Sequence, residues 1–140
     1  MKRYKKPILA ALFAAYLLVL LRITVFRTGC FSHGWCSGRV EWIPFVYLAE
    51  LARRGDWGYF CYLFFGNLLW FVPLGWALGA LRLRLRQAAL LGLGLSFLIE
   101  LGQFLLGSGV SEVEDLILNT AGTVLGWLIT YKKLQLTSDK

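Results

Sequence analysis

The sequence predicts an all-α membrane protein, a bundle of four transmembrane helices with a short interfacial helix in its outer loop. Three observations carry this. The chain is 58% hydrophobic and only 16% charged, with a mean hydropathy of +0.62. Its apolar residues fall into four long stretches, and its basic residues gather at the ends of those stretches. Soluble domains run about 45–50% apolar with about a quarter of residues charged. With 140 residues, a single domain covering 1–140 is expected. A core of that size cannot hide so much apolar surface, so lipid must solvate part of it. The same richness excludes intrinsic disorder.

The four stretches cover about 7–26, 59–81, 87–106 and 113–131. A helix crosses the hydrocarbon core in about 20 residues. The first three stretches meet that length, and the fourth reaches it only if it begins near Val113 rather than Leu116. None alternates with period two, as barrel strands do. Pro73 in the second stretch frees the Leu69 carbonyl and predicts a kink. Gly75 and Gly79, and again Gly122 and Gly126, have the spacing that lets helices approach closely.

Charge placement sets the orientation. Lys2, Arg3, Lys5 and Lys6 precede the first stretch, Arg82, Arg84 and Arg86 fill the second turn, and Lys132 and Lys133 follow the fourth stretch. Four spans put all of these on one side, which the positive-inside rule makes the cytoplasm, so both termini are expected there. The other side holds the loop Arg27–Gly58 and the short connection with Glu112, Glu114 and Asp115. The net charge of +7 therefore reads as topology signalling rather than a nucleic-acid surface. A cleaved signal peptide is the competing reading of the first stretch, but a small-x-small cleavage site is missing and Arg22 interrupts its end. A lipoprotein box is hinted at by Thr28-Gly29-Cys30, with Arg27 where a small apolar residue belongs.

In the outer loop Pro44 suits the first turn of a short helix, with Phe45, Leu48 and Leu51 or Ala52 on one face and Arg53 and Arg54 closing it. Trp42, Tyr47 and Trp57 suit the headgroup layer. This helix reads either as a cover lying on the outer leaflet or as an amphipathic connector. Cys30 and Cys36 flank His33; outside the cytoplasm a disulfide is the favoured reading, over a metal site that lacks a clear fourth ligand. Cys61 reads as an apolar filler. No cofactor motif is present, and with one histidine a hydrolase triad is disfavoured.

Polar residues inside spans are costly and need a reason. Asn67 lies in the second span, Glu100 and Gln103 share a face of the third, and Asp115 and Asn119 open the fourth. All five fall in the same half of the membrane and are expected to converge into one polar cluster. Arg22 sits at a depth similar to Glu100, so an ion pair between them is expected, unless Arg22 snorkels to the headgroups. The cluster is either interhelical glue, the favoured reading for Asn67 and Asn119, or a functional site, the favoured reading for Glu100 and Asp115.

Five runs then carry a family resemblance. They are Arg39-Val40-Glu41-Trp42-Ile43-Pro44-Phe45, Gly66-Asn67-Leu68-Leu69-Trp70-Phe71-Val72-Pro73-Leu74-Gly75, Glu100-x-x-Gln103, Glu114-Asp115-Leu116-Ile117-Leu118-Asn119-Thr120-Ala121-Gly122, and Gly126. In this order and spacing, over about Arg39 to Trp127, the chain resembles the VanZ-like family. Many members carry an arginine shortly before the acidic pair, where this chain has Gly109-Val110-Ser111. The resemblance implies a multipass protein of the bacterial cytoplasmic membrane. The name-giving member is associated with resistance to the glycopeptide teicoplanin.

Three functional classes follow. The first is a non-catalytic envelope protein that alters how the cell surface meets glycopeptides, with membrane lipids, lipid-linked envelope precursors or a glycopeptide as partners. The second is a membrane-embedded enzyme acting on a lipid-linked headgroup, with Glu100 and Asp115 as acid and base. The third is a transporter, disfavoured by four spans without an internal repeat. The orientation is checked directly: reporter fusions after Arg84 and after Lys140 are expected to read as cytoplasmic, and an external signal from both would overturn it.

Overall fold

The computed structural model describes residues 5–26, 35–36 and 38–138, with the side chains of 5–7, 9 and 133–138 outside that description. Among the described residues, five helices and two short strands follow one another: α1 (Lys5–Thr24), β1 (Arg39–Glu41), α2 (Val46–Arg54), α3 (Trp57–Ala80), α4 (Leu85–Leu106), β2 (Val110–Glu112) and α5 (Val113–Ser138). The long helices coincide with the four apolar stretches to within two residues at most ends, α5 running on past the fourth, and α2 lies in the long loop between the first two stretches as expected.

Helices α3 and α4 are long and apolar enough to cross a membrane, and α1 adds a shorter apolar stretch, Ala10–Thr24. In both long helices only 28% of the most apolar window is buried inside the protein. The core helix of a soluble protein would be mostly covered. Here Tyr62, Phe65 and Leu69 on α3, and Leu90, Phe97 and Leu98 on α4, face outward. A continuous apolar exterior of this kind needs hydrocarbon around it. The protein is therefore a membrane protein. The expected count of four spans is not reached by length and hydropathy: among the described residues two helices meet both. Helix α5 has the length, at 26 residues, but Glu114 and Asp115 open it, and Asn119, Thr123 and Thr130 dilute its apolar run.

The closest helix pair is α3 with α5, and glycine makes it possible. A Cβ placed at Gly122 would overlap the Leu68 carbonyl, one at Gly126 the Val72 carbonyl, and one at Gly75 the Thr123 carbonyl. Backbone thus lies directly on backbone, and dispersion between well-fitted surfaces replaces the hydrophobic effect that lipid cannot supply. Thr130 adds a hydrogen bond across the pair, its Oγ1 donating to the Trp76 carbonyl at 3.1 Å. Gly92 of α4 admits the Thr123 side chain in the same way. Helix α3 runs unbroken through Pro73, and the residues around it are held by these contacts. The core of the bundle gathers Leu20, Phe71, Leu74, Leu78, Ala88 and Ile99. At the opposite end from the loops of α2, Trp127 donates its indole N–H to the Leu83 carbonyl at 2.8 Å, fixing the α3–α4 turn on α5.

The two strands were not anticipated. Strand β1 pairs parallel to β2, with Arg39 opposite Val110, Val40 opposite Ser111 and Glu41 opposite Glu112. Just before it, the Cys36 and Gly38 amides donate to the Leu105 and Phe104 carbonyls, at 2.9 and 3.2 Å. These belong to the last turn of α4, whose carbonyls have no partner within the helix. Gly38 lies so close to the Phe104 backbone that a Cβ would stand 2.6 Å from its Cα. The segment leading into α2 is thus stitched to the connection between α4 and α5. Helix α2 then seats Leu48 and Leu51 against Leu118, with Phe60, Leu63 and Phe64 of α3 around them.

Glycine packing gives a direct test. Gly122→Val is expected to destabilise the protein by about 1–3 kcal/mol or more through overpacking. Gly94, with nothing within 4 Å of its added Cβ, should tolerate alanine with a gain of about 0.5–1 kcal/mol. Thermal melts in detergent measure both.

Candidate functional site

The loop end of the bundle is hollow. A partly open cavity of about 800 Å³ lies between the last turn of α1, helix α2, the first half of α3, the last turns of α4 and the first turns of α5. The five polar residues expected to converge all line it: Asn67, Glu100, Gln103, Asp115 and Asn119. They meet because α3 and α5 begin at this end while α4 finishes here, which brings the polar half-turns of three helices to one level.

Each residue is held by a specific contact. The Asn67 amide donates from Nδ2 to Oδ1 of Asp115, linking α3 to α5. Asn119 donates to Ser96 Oγ at 2.8 Å, linking α5 to α4, and Ser96 Oγ reaches the Asp115 carbonyl at 3.5 Å. Glu100 is buried, and its Oε2 accepts the Glu112 amide at 2.9 Å. Its own carbonyl accepts the Ser111 hydroxyl at 2.8 Å. Gln103 donates from Nε2 to the Thr24 carbonyl at 3.2 Å, tying α1 to α4. Two buried oxygens in this set, Gln103 Oε1 and Asn119 Oδ1, have no hydrogen-bond partner.

Arg22, expected to pair with Glu100, is exposed, and its guanidinium donates to the Phe26 carbonyl one turn on. Arg54 and Glu50 form an ion pair one turn apart on α2, at 2.8 Å. Cys30 and His33 lie outside the described residues, so their pairing with Cys36 is not described; Cys36 itself is exposed.

Three contributors escaped the sequence reading of this site. Glu114 is buried and its Oε2 accepts the Phe45 amide at 2.6 Å. Phe45 stands in the left-handed region, φ 64°, at the start of α2 with no side-chain cap of its own, so Glu114 supplies the missing acceptor from 69 residues away. Ser96 and Ser111 were the other two. Ser96 was findable, because it precedes Glu100 by four residues on the face that carries Gln103. Glu112, Glu114 and Asp115 form a group in which one carboxylate oxygen from each lies within 4.8 Å of the other two. These three are the residues able to hold a hard cation.

The arrangement separates two kinds of acid. Glu100 and Glu114 receive backbone amides and so fix the architecture, while the cavity as a whole presents six carboxylates and one arginine, Arg53, among its described lining residues. Tyr47, Tyr59, Tyr62 and Trp70 provide flat apolar walls beside them. Such a space suits a molecule with many hydrogen-bond donors and some apolar surface. Glu114→Ala should cost about 1–3 kcal/mol by leaving the Phe45 amide unpaired. Glu114→Gln, which keeps an acceptor, should cost less than half as much. Paired melts and protease sensitivity within α2 read the difference.

No curated protein and no solved structure matches the chain. The family model described as VanZ/LLP1 matches residues 13–135. That span runs from the first helix to the last and contains every side chain of the polar cluster, so the resemblance seen in the sequence extends to the whole bundle. The chain belongs to the VanZ/LLP1 family.

Proposed function

We propose that this protein is a multipass protein of the bacterial cytoplasmic membrane whose cavity binds the polar headgroup of a lipid-linked envelope precursor, and that it thereby alters sensitivity to glycopeptides such as teicoplanin. The observation that supports this reading is the cavity itself. Its roughly 800 Å³ fall in the range of small-molecule sites, about 300–1,000 Å³. It sits at the loop end of a bundle whose other surfaces are apolar, so a ligand anchored in lipid reaches it sideways with its tail still in hydrocarbon. In this reading α1, α3, α4 and α5 cross the membrane, both termini are cytoplasmic, and α2 lies in the outer headgroup layer. Exposed Trp42, Ile43, Tyr47 and Trp57 around α2 suit that layer.

A second reading is an enzyme acting on the same headgroup, with Glu100 and Asp115 as general acid and base. It is favoured by one observation, that both acids line a single cavity. The hydrogen bonds they already make favour binding over proton transfer: Glu100 is engaged by the Glu112 amide and Asp115 by Asn67.

Glu100→Gln and Asp115→Asn preserve shape while removing charge. Both variants are expected to melt within a few degrees of the native protein, to retain less lipid-linked precursor on purification, and to lose the effect of expression on teicoplanin sensitivity. Full retention of precursor and phenotype with equal melts would sink the headgroup reading. Release of a water-soluble headgroup by the native protein alone would select the enzyme.

A further inference from the structure

We propose that Glu112, Glu114 and Asp115, with Asn119 behind them, form a binding site for a divalent cation of the hard, oxygen-seeking class. The inference does not rest on headgroup binding and goes beyond it.

Three features converge. The first is spacing. The three carboxylate oxygens lie within 4.8 Å of one another. Two oxygens on opposite sides of a bound Ca²⁺ stand about 4.6–5.2 Å apart, twice its bond length of about 2.3–2.6 Å. Three oxygens so grouped reach a single ion. The second is the backbone. Glu112 ends β2 and is pinned by its amide to Glu100 Oε2, while Glu114 and Asp115 occupy the first turn of α5. The three therefore leave a rigid corner of chain rather than a loose loop.

The third is an unmet demand deeper in the cavity. Asn119 follows Asp115 by one turn on the same face of α5 and is only 4% exposed. Its Nδ2 is committed to Ser96, and its Oδ1 is buried without a partner. Gln103, 5% exposed on the neighbouring helix, repeats the pattern: Nε2 is committed to Thr24 and Oε1 is unpartnered. Both orphaned atoms are acceptors, carried by residues that line the same cavity as the carboxylates. What satisfies them must bring positive charge or hydrogen-bond donors. A cation with its shell of water brings both, since the water protons point away from the metal.

A carboxylate offers about four lone-pair sites, so one that accepts a hydrogen bond can also ligate a cation. Glu114 accepts the Phe45 amide and Asp115 the Asn67 amide. The competing explanation is that acids in the first turn of α5 answer the helix dipole. That explanation makes the acids stabilising at any metal concentration, whereas an ion site makes the stability depend on metal.

The probe is Mn²⁺, which favours the same oxygen ligands as Ca²⁺ and Mg²⁺. The full chain, purified in detergent and stripped with chelator, is titrated with Mn²⁺ and the free ion is followed by electron paramagnetic resonance. One saturable site per chain is expected, displaced by Ca²⁺ more readily than by Mg²⁺. The melting temperature should rise with Ca²⁺ and fall again with chelator. Asp115→Asn and Glu112→Gln should each weaken Mn²⁺ binding at least about tenfold. Glu50→Gln, on the outer side of the same cavity, should leave it within about twofold. Asn119→Ala should weaken binding by a smaller factor and abolish the preference for Ca²⁺. Two outcomes overturn the proposal: Mn²⁺ uptake by the native chain no greater than by empty detergent micelles, or uptake that survives Glu112→Gln and Asp115→Asn together. Because the native titration carries the first outcome, the proposal stays testable even if a variant fails to fold. Failure here leaves the headgroup reading standing, since precursor retention is measured without added metal.

Discussion

The structure depends on the contact between α3 and α5, where carbonyls of one helix occupy the space that side chains would fill on the other. Gly75, Gly122 and Gly126 have no side chain at the points of contact, and the carbonyls of Thr123, Leu68 and Val72 lie there instead. In lipid, apolar side chains gain little by leaving hydrocarbon, so such close backbone contact is one of the few strong sources of helix association. The consequence reaches the cavity. With α3 and α5 in backbone contact, Asn67 and Asp115 are forced within hydrogen-bond reach, and α4 must lie across both to complete the enclosure.

A second constraint is polar satisfaction. A membrane interior offers no water to rescue unpaired groups. The bundle answers by making its polar residues partners of one another or of helix ends: Gln103 caps the end of α1 through Thr24, and Thr130 and Thr123 bond within α5 to Gly126 and Asn119. Against that thoroughness three buried oxygens, Gln103 Oε1, Ser108 Oγ and Asn119 Oδ1, stand out among the described residues as atoms without a hydrogen-bond partner.

Much of this was legible in the sequence. The four apolar stretches and their boundaries locate the long helices because a run of about 20 apolar residues has few alternatives. The helical spacing of Glu100 with Gln103, and of Asp115 with Asn119, put those residues on single faces, and knowing that α4 ends where α5 begins brings the faces together. Pro44 marked the neighbourhood of α2, although the helix itself starts at Val46, because the left-handed Phe45 intervenes. The short strands were invisible: three residues of Arg39–Glu41 show no alternation, and their pairing with Val110–Glu112 is a contact across half of the chain. Similar spacing from a helix end does not fix azimuth around α1, which is set by packing and leaves Arg22 exposed on that helix. Glu114 was read as a loop charge, since nothing local reveals that it caps a helix elsewhere.

The small parallel ribbon between β1 and β2 carries one more implication. It joins the segment leading into α2 to the same few residues that bear Glu112, and the Phe45 amide rests on Glu114 just beyond. The roof of the chamber and its most acidic corner therefore move as one piece. Whatever displaces the roof also displaces those carboxylates, so access to the chamber and the charge awaiting a guest inside it are mechanically coupled by three residue pairs and a single amide.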